Sequence, residues 1–125
     1  MTDFSDREPS LRTVAMPADT NPAGDIFGGW LVGQMDLAGS TLATRVSDGR
    51  TATVAIDQMT FHKPVYVGDE VSCYTELEKI GDTSMTINVV STVRRQKDES
   101  PVTVTEGVFT YVALDEDGEP RPVEP

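Results

Sequence analysis

One carboxylate stands out among the side chains of this sequence that could do chemistry. Between positions 26 and 44 the only charged residue is Asp36, and the rest of that segment is apolar, small or weakly polar. Burying an ionised carboxylate in such surroundings costs several kcal/mol unless the group is paired. The functional interpretation is a general base or nucleophile. The structural alternative is a carboxylate that hydrogen-bonds a backbone amide or an arginine of a partner chain.

A pair of glycines, Gly28 and Gly29, stands two helical turns before Asp36. Each glycine weakens a helix by roughly 1 kcal/mol, so the pair needs an explanation. The free amides of a first helical turn can bind a ligand oxygen closely where no side chains intervene. Donors that polarise a carbonyl, with a carboxylate that activates water or attacks directly, are what thioester hydrolysis requires. The alternative is that these glycines only permit close packing.

These residues belong to the one helical segment of the sequence. Apolar residues recur at three- and four-residue spacings from position 27 to 46, and we expect Gly49 to end the helix with a positive φ. Because the segment has no charged face, we expect the helix to be buried nearly all round. The other segments have a period of two and predict β-strands over residues 10–16, 51–63, 70–80, 83–95 and 101–114.

The order of one strand, a long helix and four strands indicates an α+β fold. We predict that the last four strands form an antiparallel meander, because short turns join them. The single long helix is the only element large enough to cover an apolar sheet face. The predicted domain spans residues 10–115. Residues 1–9 are a flexible N-terminal tail, and residues 116–125 are a C-terminal tail that is either solvated or a remnant of a terminal hairpin.

Composition excludes several classes of partner. The chain has 125 residues and a net charge of −11, so we expect no nucleic-acid partner and no docking on anionic lipid. No run approaches the roughly 20 apolar residues of a membrane span, and the polar N-terminus does not resemble a secretory signal. The single cysteine, Cys73, fits a reducing compartment, so we predict a cytoplasmic protein. Abundant aspartate and scarce lysine also raise the hypothesis of adaptation to high salt.

Six stretches of the sequence closely resemble the YciA-like acyl-CoA thioesterases, a group of the hotdog superfamily related to the cytosolic acyl-CoA hydrolases. These stretches read LRTVAMPADTN (11–21), GDIFGGWL (24–31), QMD (34–36), MTFHKPV (59–65), VGD (67–69) and GVFTYVA (107–113). The resemblance implies a hotdog fold, in which five or six antiparallel strands wrap around one long helix. It also implies homodimers with active sites at the subunit interface, which can assemble further as trimers of dimers.

The resemblance also assigns roles to individual residues. The catalytic aspartate of the family matches Asp36, and the helix-start amides that bind the thioester oxygen match Gly28 and Gly29. The resemblance further implies that Asp25 comes from the other subunit and helps to hold water or the thioester.

Coenzyme A carries several negative charges, so an acidic protein needs a local basic patch to bind it. Arg94 and Arg95, near the end of a predicted strand, are the first candidates for this patch, and Lys63 is another. Each arginine could instead be an ordinary solvated charge. We also assign Asn21 and Trp30 to the substrate site, with Trp30 among the apolar side chains whose packing sets the length of the acyl tunnel.

The predicted activity is hydrolysis of acyl-CoA to a free acid and coenzyme A. We expect no metal and no separate cofactor, because one histidine and one cysteine do not make a typical zinc site and no nucleotide-binding motif is present. A hotdog hydratase or dehydratase would use a histidine, and the sole histidine, His62, is predicted on an edge strand. A non-catalytic acyl-CoA or lipid-binding module would be expected to lack a carboxylate on the helix.

Overall fold

The computed structural model describes residues 7–95 and 100–124 of the chain. In these ranges the chain forms one long α-helix, five β-strands and a single turn of 3-10 helix. Their bounds in chain order are β1 Leu11–Val14, the 3-10 turn Pro17–Asp19, α1 Gly28–Ser47, β2 Thr51–Phe61, β3 Glu70–Ile80, β4 Ser84–Arg94 and β5 Val102–Ala113. Every predicted segment is present, with bounds within two residues of the prediction.

The five strands form one antiparallel sheet in the order β1-β3-β4-β5-β2. β3, β4 and β5 form a meander as predicted, but β2 pairs with β5 instead of β3. The prediction of a four-stranded meander is therefore wrong. The reason is that residues 62–69, which connect β2 to β3, do not form a tight hairpin. They pass beside the start of α1, where the carbonyl of buried Val65 accepts a hydrogen bond from the Ile26 N–H.

The helix α1 lies across one face of the sheet and contacts all five strands. Its buried residues include Leu31, Met35, Ala38 and Ala43, which lie three to five positions apart on one side of the helix. They face inward-pointing side chains of β4 and β5, which are Met85, Ile87, Val89, Phe109, Tyr111 and Ala113. Burial of each large apolar side chain contributes roughly 1.5–3 kcal/mol, so this interface is the main core. The predicted α+β fold, with an antiparallel sheet around one helix, is confirmed.

The opposite side of α1 is not covered. Leu37 is 56% exposed, and Phe27, just before the helix, is 48% exposed. The prediction that the helix is buried nearly all round is therefore wrong for a single chain, because the sheet covers one side and the described residues supply no second layer. In the described part of the chain, no helix has both the length and the apolar character needed to cross a bilayer.

The helix ends at a different residue from the one predicted. Asp48, and not Gly49, adopts the left-handed conformation, with φ 55° and ψ 48°. Aspartate tolerates this conformation better than most residues because its short side chain can hydrogen-bond locally. Gly49 is explained instead by space: a Cβ there would lie 2.6 Å from a guanidinium nitrogen of Arg121. The same nitrogen donates a hydrogen bond to the carbonyl of Ser47 at the helix C-terminus.

The C-terminal segment packs on the domain. Leu114 and Pro120 form an isolated β-bridge. Val123 is buried, and its N–H donates to the carbonyl of Asp82 in the turn before β4. Of the two alternatives for the C-terminal tail, the hairpin remnant fits and the solvated tail does not. Residues 1–6 of the predicted N-terminal tail lie outside the described ranges.

One edge of the sheet is long and apolar. This edge is β2, which has no second neighbouring strand within the described ranges. Its side chains Val54, Ile56 and Phe61 are all exposed. Single-chain proteins normally protect such edges, because an exposed apolar edge pairs readily with another strand.

Candidate active site

The carboxylate of Asp36 is half-buried on α1 and is held through one of its oxygens. The Thr53 hydroxyl on β2 donates a hydrogen bond of 2.7 Å to Oδ1. The Tyr111 hydroxyl on β5 lies 3.0 Å from the same oxygen and 3.0 Å from the backbone carbonyl oxygen of Asp36. Oδ2 accepts no hydrogen bond from any residue in the ranges 7–95 and 100–124. One carboxylate oxygen is therefore fixed and the other is available.

Tyr111 keeps its proton in this environment. Its side chain is fully buried. Burial raises the pKa of the phenol far above its ordinary value, and the charge of Asp36 and the hydrogen bond to it raise the pKa further. The hydroxyl therefore remains a hydrogen-bond donor throughout the neutral and mildly alkaline range.

Sequence reasoning identifies neither partner of Asp36. Thr53 lies 17 positions after Asp36 and Tyr111 lies 75 positions after it. Threonine and tyrosine are also common in strands for reasons of packing alone. The one available signal was the position of Tyr111 on the inward-facing side of β5. Within the described residues two hydroxyl groups, and no backbone amide, hold this carboxylate. An arginine of a partner chain stays an alternative.

The start of α1 offers free backbone donors. No side chain caps the helix, and the first-turn amides, including those of Gly28 and Gly29, have no acceptor within the helix. A Cβ at Gly29 would have no atom within 4 Å, whereas a Cβ at Gly28 would lie 3.4 Å from the ring of Phe61. A cleft of about 280 Å³ opens at this point, lined by Ile26, Phe27, Gly28, Leu31, Phe61, His62, Lys63, Pro64 and Val65.

A single chain does not bring the helix start and the carboxylate together. Gly29 and Asp36 are separated by about 10 Å along the helix axis. The N–H groups of a helix also point toward its N-terminus, away from Asp36. Reacting atoms must approach to about 3–3.5 Å. A thioester whose oxygen binds the Gly29 amide is therefore out of reach of Asp36 in the same protomer.

Asn21 and Asp25 belong to the loop before α1. The Asn21 Oδ1 accepts hydrogen bonds from the N–H groups of Ala23 at 2.9 Å and Asp25 at 3.1 Å. The N–H of Asn21 in turn donates to the Asp25 carbonyl at 2.7 Å. The side chain of Asn21 thus shapes this loop, and Asp25 is exposed on it. Their contacts with substrate stay predictions.

Arg95 is engaged within the protein. Its Nε lies 3.5 Å from a carboxylate oxygen of Asp69, which is buried. A second nitrogen donates to the carbonyl of Pro64 at 2.8 Å, and the guanidinium lies 5.0 Å from the ring centroid of Tyr66. Arg95 therefore fastens the connection between β2 and β3, and a role in binding coenzyme A stays a prediction.

The other residues assigned to the substrate site are dispersed. Lys63 lines the cleft at the helix start, as does His62, whose Nε2 lies 2.9 Å from a carboxylate oxygen of Glu106. The Nε of Arg94 is buried and has no hydrogen-bond partner within the described residues. Trp30 is partly buried against the core and does not line that cleft.

Comparison with known proteins gives consistent matches over most of the chain. The sequence model of the thioesterase superfamily matches residues 23–102. The acyl-CoA thioester hydrolase YciA of Salmonella typhimurium is 51% identical over 117 residues, which are 90% of this chain and 87% of that relative. The acyl-CoA thioester hydrolase YciA of Escherichia coli is 50% identical over 120 residues, covering 91% of this chain and 90% of the relative.

A solved structure agrees with the sequence matches. The hexameric thioesterase y2039 of Yersinia pestis superposes with a TM-score of 0.87 at 52% identity, covering 92% of this chain and 93% of that chain. Three findings agree on one family: the fold, the matched superfamily segment and sequence identities near one half. The chain therefore belongs to the thioesterase superfamily and, within it, to the family of the YciA acyl-CoA thioester hydrolases.

Proposed function

We propose that this protein hydrolyses acyl-CoA thioesters to a carboxylic acid and coenzyme A, with Asp36 as the catalytic carboxylate. Acyl-CoA hydrolysis follows from its membership of the family. The assignment of Asp36 is supported by its hydrogen bonds: two hydroxyl groups hold Oδ1, whereas Oδ2 has no partner in the described ranges. A carboxylate fixed in this way keeps one oxygen ready to act on a substrate.

In the proposed reaction, Oδ2 of Asp36 removes a proton from a water molecule whose oxygen attacks the thioester carbonyl carbon. The carbonyl oxygen becomes an oxyanion, which the amides of Gly28 and Gly29 stabilise. The tetrahedral intermediate then collapses, the C–S bond breaks, and coenzyme A leaves as a thiolate that takes up the proton. In a second route Oδ2 attacks the carbon itself, the C–S bond breaks and coenzyme A leaves as a thiolate. Water then hydrolyses the anhydride, which releases the carboxylic acid, restores the Asp36 carboxylate and supplies the proton that the thiolate takes up. Neither route uses a metal or a separate cofactor.

We also propose that each active site combines Asp36 of one protomer with the helix start of another. The separation of about 10 Å along the helix prevents one chain from supplying both groups to the same thioester. The exposed apolar edge of β2 and the exposed Leu37 on α1 fit a second copy that covers both. Pairing of two β2 edges about a two-fold axis would continue the sheet across a homodimer. In this arrangement Asp25 reaches the site of the neighbouring subunit.

The proposed assembly is a hexamer built as a trimer of dimers. The thioesterase of Yersinia pestis that superposes on this chain is described as hexameric. Its identity of 52% over nearly the whole chain supports the same assembly here.

For the phosphates of coenzyme A we propose Lys63 and Arg94. Lys63 lines the cleft at the helix start, and Arg94, the last residue of β4, carries a guanidinium that can donate to a phosphate. Arg95 is the weaker candidate, because Asp69 and Pro64 already occupy its guanidinium. We propose a cytoplasmic location, because Cys73 is unpaired and buried and because the proposed reaction releases coenzyme A as a free thiol.

Release of coenzyme A from acyl-CoAs of several chain lengths, followed with a thiol-reactive dye, tests this function. Asp36→Ala and Asp36→Asn should lose activity by roughly 100-fold or more, as expected for loss of a general base. The control Asp117→Asn removes a charge from an exposed turn and should leave activity unchanged. Native turnover by Asp36→Ala would contradict the role of Asp36. Failure of the native protein to release thiol from any acyl-CoA would favour the non-catalytic binding module instead.

A further inference from the structure

The hydroxyl of Tyr111 is directed at Asp36 alone. It lies 3.0 Å from Oδ1 and 3.0 Å from the backbone carbonyl oxygen of Asp36, and it has no other hydrogen-bond partner in residues 7–95 and 100–124. The ring of Tyr111 is held separately, by burial and by near-parallel stacking on Phe109 with centroids 6.4 Å apart. A phenylalanine would satisfy that packing equally well. The hydroxyl therefore needs an explanation that packing does not supply.

A glycine on the helix makes room for this hydroxyl. Gly39 lies one turn after Asp36 on α1 and is buried. A Cβ at Gly39 would collide with the hydroxyl oxygen of Tyr111 and would lie 2.9 Å from Cζ of its ring. Contacts that short do not occur, so any larger residue at this position would push the tyrosine away from Asp36. The glycine and the tyrosine thus form one structural unit with the carboxylate.

We propose that Tyr111 is a positioning residue for catalysis, which fixes the Asp36 carboxylate through Oδ1 so that Oδ2 faces the substrate, at a place that Gly39 keeps open. This inference rests on the proposed function of Asp36 and adds a residue that acts through it. Tyr111 donates from β5 and Thr53 donates from β2, so the carboxylate is held from two strands. Within the described ranges, Tyr111 is the one titratable side chain hydrogen-bonded to this carboxylate.

Two effects on catalysis follow from this role. Without the phenol, the carboxylate can rotate about its side-chain bonds, so fewer encounters present Oδ2 correctly. Because the hydroxyl acts on the Asp36 carboxylate itself, its loss should also change how kcat depends on pH, which a change in packing alone would not do. Binding of coenzyme A, which involves other residues, should be almost unaffected.

Tyr111→Phe tests the proposal, because it removes the hydroxyl and keeps the ring. We expect kcat to fall roughly 10- to 100-fold, the range for hydrogen bonds to charged groups. We expect KM for acyl-CoA to stay within about twofold and the acid limb of the pH profile of kcat to move. A merely structural role would change protein stability and leave this limb in place. Unchanged kcat with an unmoved acid limb would overturn the proposal.

Gly39→Ala provides a second, independent variant. It keeps the phenol but displaces it from Asp36, so we expect the same loss of kcat, the same small change in KM and the same movement of the acid limb. If Tyr111→Phe does not fold, the result for Gly39→Ala decides: native kcat and an unmoved acid limb would overturn the proposal. The matched control is Tyr74→Phe, since Tyr74 pairs with Val90 on the outer face of the sheet. That variant should retain native kcat and the native pH profile.

The Asp36→Ala enzyme distinguishes the catalytic role of Asp36 from the positioning role of Tyr111. An inactive Asp36→Ala together with a fully active Tyr111→Phe would remove the positioning role and leave the proposed function intact. Native activity in Asp36→Ala would remove the catalytic role of that carboxylate, and the role of Tyr111 with it.

Discussion

Thr53 Oγ1 lies 2.7 Å from Asp36 Oδ1, so a residue on the exposed edge strand helps to hold the carboxylate that we propose to be catalytic. Thr53→Val removes the hydroxyl while keeping the shape of the side chain. We expect kcat for acyl-CoA hydrolysis to fall roughly 10-fold, because one hydrogen bond to a charged group is lost. Thr53→Ser keeps a donor and should retain most of the activity. Equal activity of the serine and valine variants in the thiol-release assay would contradict this role.

Subunit complementation can establish whether the site is shared between protomers. Gly29→Pro deletes one amide donor, and proline is tolerated in the first turn of a helix. Gly29→Ala is the control, because it keeps the N–H and its Cβ enters open space. We expect Gly29→Pro to be impaired and Gly29→Ala to remain active.

Mixing then gives the decisive result. When inactive Asp36→Ala chains are refolded with Gly29→Pro chains, half of the dimers should be mixed and each should hold one intact site. About a quarter of the native activity should therefore return, from statistical pairing of two chains. If mixtures that contain mixed dimers recover no activity, Asp36 and the Gly29 amide of one site must come from the same protomer.

Stability should fall at alkaline pH through Cys73. Burial raises the pKa of this thiol from 9.0 to about 11, and the hydrogen bond with Ser91 opposes the shift only in part. The folded state favours the protonated thiol. The free energy of unfolding is therefore at its full value below pH 9 and decreases as the pH rises from about 9 to 11. The loss amounts to about 3 kcal/mol.

Urea unfolding at several pH values checks this alkaline effect. Cys73→Ala removes the titrating thiol, so its free energy of unfolding should depend less on pH in this window than that of the native chain. Tyr111 is present in both proteins, so its own ionisation does not affect the comparison. Parallel pH dependences for the two proteins would contradict the prediction.

Arg95 should contribute more to stability than to substrate binding. Arg95→Ala leaves the buried carboxylate of Asp69 without its cation, and we expect the free energy of unfolding to drop by about 1–3 kcal/mol. Arg50→Ala, which changes an exposed arginine, is the control and should have little effect. If Arg95→Ala were as stable as the native chain but had a raised KM, its main role would be to bind coenzyme A.

Salt should stabilise this chain. A net charge of −11 means that the folded state works against its own repulsion, and ions screen that repulsion. We expect the melting temperature to increase as KCl is raised to molar concentration. A constant or falling melting temperature would count against adaptation to high salt.

Local patterns predict the elements of this fold well. The strand predicted over residues 70–80 is β3, Glu70–Ile80, and the helix predicted over 27–46 is α1, Gly28–Ser47. The neighbour of β2 could not be obtained in the same way. The strand that pairs with β2 depends on the edge of the sheet that the chain reaches after α1, and the whole fold determines that edge. The scarcity of charged residues on α1 correctly indicated burial of one side of the helix. The other side stays exposed within the described residues of the single chain.

The candidate site was predictable on the helix and unpredictable on the strands. Asp36 is visible because it is a lone charge in an apolar segment. Thr53 and Tyr111 cannot be recognised from sequence, because their residue types are ordinary in a sheet. Only the register of β2 against β5 brings their hydroxyl groups to the same oxygen of Asp36. Asp48 shows a similar limit, since sequence favours the adjacent glycine for a left-handed residue.

The pairing of β2 with β5 determines when the proposed catalytic carboxylate acquires both of its hydrogen-bond partners. As the ribosome makes the chain, Asp36 and Thr53 emerge early, whereas Tyr111 arrives only with β5. An unfinished or truncated polypeptide therefore lacks both the strand beside β2 and the phenol that it carries. Such fragments should leave the cellular pool of activated acids untouched, so thioester cleavage requires that synthesis has passed β5.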